Sequence, residues 1–268
     1  MSSWSTQKIL ESLASLDGSA VTDGLLEIST TDYRLLRYPE PLISPTLPAA
    51  QVISSSTSRP LEIVFDEISS AVREWGLDAV HWWVTNTTRP LDTEAFLIAR
   101  GGVLGDSIQI LARELGAETG QDVASNDLGV ELVCDERSLR AAMDVEIRGW
   151  GRSSLDEEEL GRRLAEVLQN VETATRFQFV AFIEGKPVST GCCRIEGEVG
   201  RLYGAVTLPE FRSRGAYQAI LSTRLRHLRD LGATIALTRG RPLTSGRILA
   251  KSGFTVHGEE RCYGLSVN

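Results

Sequence analysis

Apolar and polar positions alternate along this chain with two periods, and the period changes mark its elements. Leu61, Val64, Phe65, Ile68, Val72 and Trp75 recur at helical spacing, which predicts a helix closed by Gly76. The run Ala79 to Val84 then reads as a strand, Phe96 to Arg100 as a short helix and Ser107 to Ala112 as another strand. Later, a strand (Val130 to Val133) leads into a helix from Asp135 that buries Leu139, Met143 and Ile147 and breaks at Gly149-Trp150-Gly151-Arg152. Ser154, with Glu157 three residues on, predicts a capping box for the next helix, whose stripe is Leu160, Leu164, Leu168 and Val171. Phe177 to Ile183, a Gly185-Lys186 hairpin, Val188 to Ile195 and a run ending at Val206 predict three antiparallel strands. Tyr217, Ile220, Leu221, Leu225 and Leu228 form the next helical stripe. It is followed by a strand (Thr234 to Thr238), a short helix (Thr244 to Lys251), Gly253-Phe254 and a closing strand (Arg261 to Val267). The order is that of a mixed α/β sheet protein. Residues before Gln51 give no clear strand pattern.

The two halves echo each other. Arg89-Pro90-Leu91 matches Arg241-Pro242-Leu243, and Gly101 lies as far beyond the first triplet as Gly253 lies beyond the second. Each block follows a helix that ends in glycine (Gly76, Gly232) and a strand. The spacing predicts a duplication: residues 1–117, a small-residue linker at 118–127, and residues 128–268. The first copy lacks a glycine equivalent to Gly215 and carries Pro60 at its helix start, which removes an N–H donor.

The chain has 268 residues and a formal net charge of −8, which argues against a nucleic-acid partner and allows attraction of a cationic amine. Met1-Ser2-Ser3-Trp4 does not open a signal peptide, and no window is apolar enough to span a bilayer. A cytoplasmic protein without a membrane partner, monomer or homodimer, is expected. Cys134, Cys192, Cys193 and Cys262 lack zinc-ligand spacing and read as reduced packing thiols; no metal is expected.

The most informative stretch is Thr207-Leu208-Pro209-Glu210-Phe211-Arg212-Ser213-Arg214-Gly215-Ala216-Tyr217. A strand, a turn with arginines and a glycine, and a helix start make an anion site: the first helical N–H groups are unpartnered and point at the incoming charge. Pro209, Arg212 and Gly215 at this spacing resemble the acyl-CoA motif of the GNAT superfamily of N-acetyltransferases, and the resemblance extends roughly from Val130 to Val267. Thr207 stands where that motif has valine, and Tyr217 where it has a small residue.

The resemblance implies two tandem GNAT-like mixed-sheet domains, the N-terminal one degenerate. It implies an acetyl-CoA-dependent (or other acyl-CoA-dependent) N-acetyltransferase acting on a primary amine of a small molecule or peptide by direct attack. A non-catalytic acyl-CoA-binding or interaction protein is the alternative, as is an acyltransferase using a hydroxyl acceptor or a longer acyl-CoA. By position, Ala205, Val206 and Thr207 would hold the pantetheine and thioester, and Arg212, Ser213, Arg214, Gly215, Ala216 and Tyr217, with Ser245, the rest of the cofactor. The tyrosine that many members use as general acid is replaced by Leu249. Tyr203 and Tyr263, on strands bordering the implied cleft, are the substitute acids, and Glu146 is the candidate base. Trp150 falls in the loop that lines the family's acceptor pocket.

Overall fold

The computed structural model describes residues 4–18, 24–39, 49–116, 128–151 and 154–268. The expected linker at 118–127 lies outside them. The elements run α1 (Thr6–Gly18), β1 (Leu26–Ser29), β2 (Tyr33–Arg37), β3 (Ala50–Ser55), α2 (Leu61–Glu74), β4 (Ala79–Val84), α3 (Thr93–Ala99), β5 (Val103–Glu114) and β6 (Leu128–Leu132). They continue with α4 (Glu136–Trp150), α5 (Glu157–Glu172), β7 (Arg176–Ile183), β8 (Lys186–Glu196), β9 (Val199–Thr207), α6 (Ala216–Asp230), β10 (Ile235–Gly240), α7 (Ser245–Lys251) and β11 (Thr255–Ser266). A 3₁₀ turn, Pro209–Phe211, sits between β9 and α6.

The chain divides into two compact units. The first comprises Met1–Gly18, Leu111–Arg239 and Gly253–Thr255; the second comprises Ser19–Ile110, Gly240–Ser252 and Val256–Asn268. This division crosses the cut expected from the sequence. Helix α7 and nearly all of β11 join the amino-terminal half because β11 pairs antiparallel with β4, from Arg261↔Val84 to Ser266↔Ala79. Helix α1 joins the carboxyl-terminal half. Trp4 Nε1 donates to Thr234 Oγ1 at 3.3 Å, Lys8 pairs with Glu198 at 3.1 Å, and Ile9 and Leu13 are buried.

In the first unit the strand order is β10-β9-β8-β7-β6, antiparallel except for the parallel pair β9–β10. Helix α4 is capped at Asp135, whose carboxylate accepts the Ser138 N–H at 2.7 Å. It packs Leu139, Ala142 and Met143 with Leu160 of α5 against Val180. Helix α5 starts later than the sequence suggests. Its cap is Asp156, accepting the Glu159 N–H at 2.9 Å, and not Ser154. Only Leu160 of its predicted stripe is fully buried; Leu168 is 46% exposed.

In the second unit the order is β1-β2-β3-β4-β11-β5, with β3 and β4 parallel. Strands β1 and β2, which the sequence pattern did not predict, extend that sheet. Its core joins Val64, Ile68 and Val72 of α2 to Trp82, Tyr263 and Leu265.

Candidate acyl-CoA site

The first unit holds the turn expected to bind an anion, and β9 runs into it. Strand β9 pairs in parallel with β10 through Val199↔Ile235, Gly200↔Ala236 and Arg201↔Leu237. Thr238 Oγ1 then donates to Leu202 O at 3.1 Å, a side chain taking over where the ladder ends. On its other edge β9 pairs with β8, but the register shifts between Thr190↔Val206 and Cys192↔Tyr203. Gly204 and Ala205 therefore face Gly191 together: a β-bulge, with Gly204 in the left-handed region at φ 58°. A bulge bends its strand and re-aims its groups. Beyond it Leu208 N donates to Val188 O of the β8 edge at 2.9 Å, so by strand alternation Thr207 N–H points to the opposite edge, past the end of the β9–β10 pairing.

The strand then delivers the chain to the helix. Ser213 (φ 62°) and Gly215 (φ 86°) are both left-handed, and Gly215 is the N-cap of α6 with no side-chain cap. Alternating backbone signs turn successive N–H groups to one side, which suits an anion. A Cβ on Gly215 would meet nothing within 4 Å, so the turn is open. Arg212, Ser213, Arg214 and Gly215 are exposed, and Ala216 is buried beneath them. Arg212 Nε donates to Thr207 O at 3.4 Å, tying the turn to the strand end. Arg214 lies over the Phe211 ring and 3.3 Å from Glu184. Glu210, the nearest acid in sequence, is paired with Arg148 at 2.6 Å, which offsets its repulsion of an anion.

Helix α4 closes the site from one side. A Cβ on Gly149 would lie 2.5 Å from Val206 Cγ2, so only glycine lets the helix end come this close to β9. Val145 and Val206 form a small core with Leu208, against which Trp150 and Phe211 pack. The Trp150 ring lies beside Gly204, 3.9 Å from where its Cβ would be.

The expected catalytic residues are divided between the two units. Tyr203 is on β9 next to the bulge, and desolvation, with Cys192 adding, holds its phenol above the ordinary value. Glu146 is 4% exposed; its carboxylate accepts from Gln178 Nε2 at 2.8 Å and from Arg163 Nη2 at 3.2 Å. Tyr263 and Ser245 are built into the second unit. Tyr263 is buried and donates to Glu94 at 2.5 Å, and Ser245 Oγ accepts the Arg241 N–H at 3.0 Å. Leu249 is buried and supplies no proton. The four cysteines are unpaired, and burial pushes the Cys192, Cys193 and Cys262 thiols up to about 12.

Sequence reasoning missed the bulge and the buried Arg224 beneath it. Arg224 is 1% exposed, and its Nη1 donates to Cys192 O at 3.0 Å and Tyr203 O at 3.4 Å. A signal was present: position 224 lies four residues from both Ile220 and Leu228, inside the apolar stripe.

Residues 141–254 match the acetyltransferase (GNAT) family. Three solved structures share the fold. One is a GCN5-related N-acetyltransferase from Kribbella flavida (15% identity, 97% of this chain and 94% of that one, TM-score 0.64). Another is a GCN5-related N-acetyltransferase from Sphaerobacter thermophilus (12%, 96% and 85%, 0.66). The third is a tandem GNAT protein from the clavulanic acid biosynthesis pathway, without AcCoA (14%, 88% and 78%, 0.60). No curated protein sequence matches the chain.

Proposed function

We propose that the chain is a GNAT-type acyltransferase that moves an acetyl group from acetyl-CoA to a primary amine of a small molecule or peptide, a reading supported by the match of residues 141–254 to the acetyltransferase (GNAT) family. The observation that carries this reading is that β9 stops pairing with β10 at Arg201↔Leu237 and runs on through the Gly204–Ala205 bulge to the open turn before α6. The residues fit the substrate. The main-chain N–H groups of the turn and the α6 N-terminus, with Arg212 and Arg214, would take the pyrophosphate. Ala205 and Thr207 would offer main-chain donors to the pantetheine and the thioester carbonyl, a hole that needs no particular side chain.

In this scheme the amine attacks the thioester carbon and its electrons move onto the oxygen facing those donors. The C–S bond then breaks, the thiolate leaves, and the amine gives up its proton to water or a nearby acceptor. Leu249 cannot donate, and Tyr203, on β9 next to the bulge, would offer its phenol as a hydrogen-bond donor to the leaving sulfur. Glu146 holds α4 to β7 through Gln178 and is ranked below water as the base. The amino-terminal half serves as a degenerate partner that does not bind acyl-CoA.

The test is a panel of amines incubated with acetyl-CoA, read by intact mass and by release of free thiol. Acetylated product with matching thiol release is expected. Absence of both, with no binding of CoA by calorimetry, would overturn the reading.

A further inference from the structure

Arginine is almost never fully buried unless it is paired, because removing its charge from water is costly. Arg224 is 1% exposed, yet among the described residues no carboxylate forms an ion pair with it. Its guanidinium is spent on oxygen atoms that surround the β9 bulge. Nη1 reaches Cys192 O (3.0 Å) and Tyr203 O (3.4 Å), the residue pair at the bulge's edge, and Nε reaches Ile220 O (3.3 Å).

The site is shaped for this group. A Cβ on Gly191, the residue opposite the bulge, would come within 3.1 Å of the guanidinium carbon. The ladder between β8 and β9 loses its regular hydrogen bonds where two residues face one, and Arg224 supplies donors there.

Resting on the acyl-transfer reading above, we propose that Arg224 is a positioning residue. It fixes the bulge through the Cys192 and Tyr203 carbonyls, so that the Ala205 and Thr207 N–H groups stay aimed at the thioester carbonyl. It also leaves a buried positive charge beneath the oxygen that becomes negative. A buried charge interacts strongly because the interior screens it weakly. Such a role accounts for a cation that a simple packing position would not keep, since an apolar side chain of similar volume is often no less stable there.

The experiment reads the thioester directly and needs no acceptor. Acetyl-CoA labelled with ¹³C at its carbonyl is bound to wild type, Arg224→Met and Arg224→Lys, and the carbonyl stretch is followed by isotope-edited difference infrared spectroscopy. Calorimetry with CoA runs in parallel. Wild type is expected to move the band to lower frequency. Arg224→Lys should show a smaller displacement and Arg224→Met the smallest, with CoA still bound by the turn before α6. If Arg224→Met does not fold, the Arg224→Lys band decides. A wild-type band position in every folded variant would overturn the proposal, and so would loss of CoA binding in Arg224→Lys, which would place the effect at the phosphate turn. Wild type that binds neither CoA nor acetyl-CoA would overturn the acyl-transfer reading itself, and this inference with it.

Discussion

The β9–α6–β10 segment of the first unit and the β3–α2–β4 segment of the second have the same plan, a parallel strand pair joined by a crossover helix, and they differ in what their backbones do where the strands end. In the first unit the pairing stops at Arg201↔Leu237, and β9 runs on through a bulge to an open turn. In the second, Gln51↔His81 and Val52↔Trp82 are followed by further stitches. Arg89 N donates to Ser55 O (3.1 Å), Thr57 N donates to Arg89 O (3.1 Å), and Ser56 and Arg89 form a parallel bridge. Trp82 Nε1 adds a bond to Ser55 Oγ at 3.0 Å. The helix starts differ as well. Gly215 leaves its turn open, whereas Pro60 stands at the N-cap of α2 without an N–H, and Arg59 is tied to Asp32 at 3.0 Å and to Glu67. An anion site needs donors that the fold has not already used, and the same topology can provide them or consume them.

The largest effect should come from charging the open turn. Gly215→Glu forces a side chain into φ 86° and sets a carboxylate beside the phosphates. CoA affinity should fall about a hundredfold or more by calorimetry, since each 1.4 kcal/mol is a factor of ten. The matching change Ser58→Glu, in the stitched turn, should leave it unaltered. Equal losses in both would erase the contrast.

Gly204→Val comes next. A β-branched residue at φ 58° costs about 1–3 kcal/mol. The expected outcome is a lower Tm together with reduced acetyl transfer, because strain and bulge geometry share one residue. An unchanged Tm would mean the bulge is not held as described.

Gly149→Ala sharpens the account of how α4 closes the site. The new Cβ would sit 2.5 Å from Val206 Cγ2, and such overpacking costs about 1–3 kcal/mol. Adding Val206→Ala should recover part of that loss in a double-mutant cycle. Additive losses would show that the two residues do not meet.

The smallest effect belongs to the second unit. The Tyr263 hydroxyl, then Arg261, hold the Glu94 carboxyl below its ordinary value against the opposing effect of burial. A depressed folded-state value adds stability above the unfolded value of about 4.3 and loses it as pH falls through the folded value. Wild-type Tm should therefore fall more steeply than that of Glu94→Gln in acid below about pH 4.3. Parallel curves would show that the Glu94 contacts carry no linkage.

Much of this architecture was legible in the chain. The stripes Leu61–Val72 and Ile220–Leu228 gave α2 and α6, because helical period reports a buried face directly. The Arg212–Gly215 spacing located the open turn, because a left-handed glycine before an apolar helix is a local requirement. Strands β1 and β2 were not legible: β1 is largely exposed and β2 departs from strict alternation, so neither shows the period of a half-buried strand. The placement of β11 beside β4 was also hidden, since partner choice between strands depends on distant residues that no local pattern encodes. The same holds for Tyr263, read as a candidate acid, and Ser245, grouped with the cofactor, which are hydrogen-bonded within the second unit. The bulge at Gly204 needed the register of β8 to be seen, although Arg224 within an apolar stripe was a clue in plain view.

One half of this chain should therefore bind acyl-CoA while the other, with its counterpart turn stitched shut, should not. Calorimetric titration of the full chain with CoA tests it most directly. One CoA should bind per chain, with that single binding event lost in Gly215→Glu. Two CoA per chain, or one that survives Gly215→Glu, would contradict it.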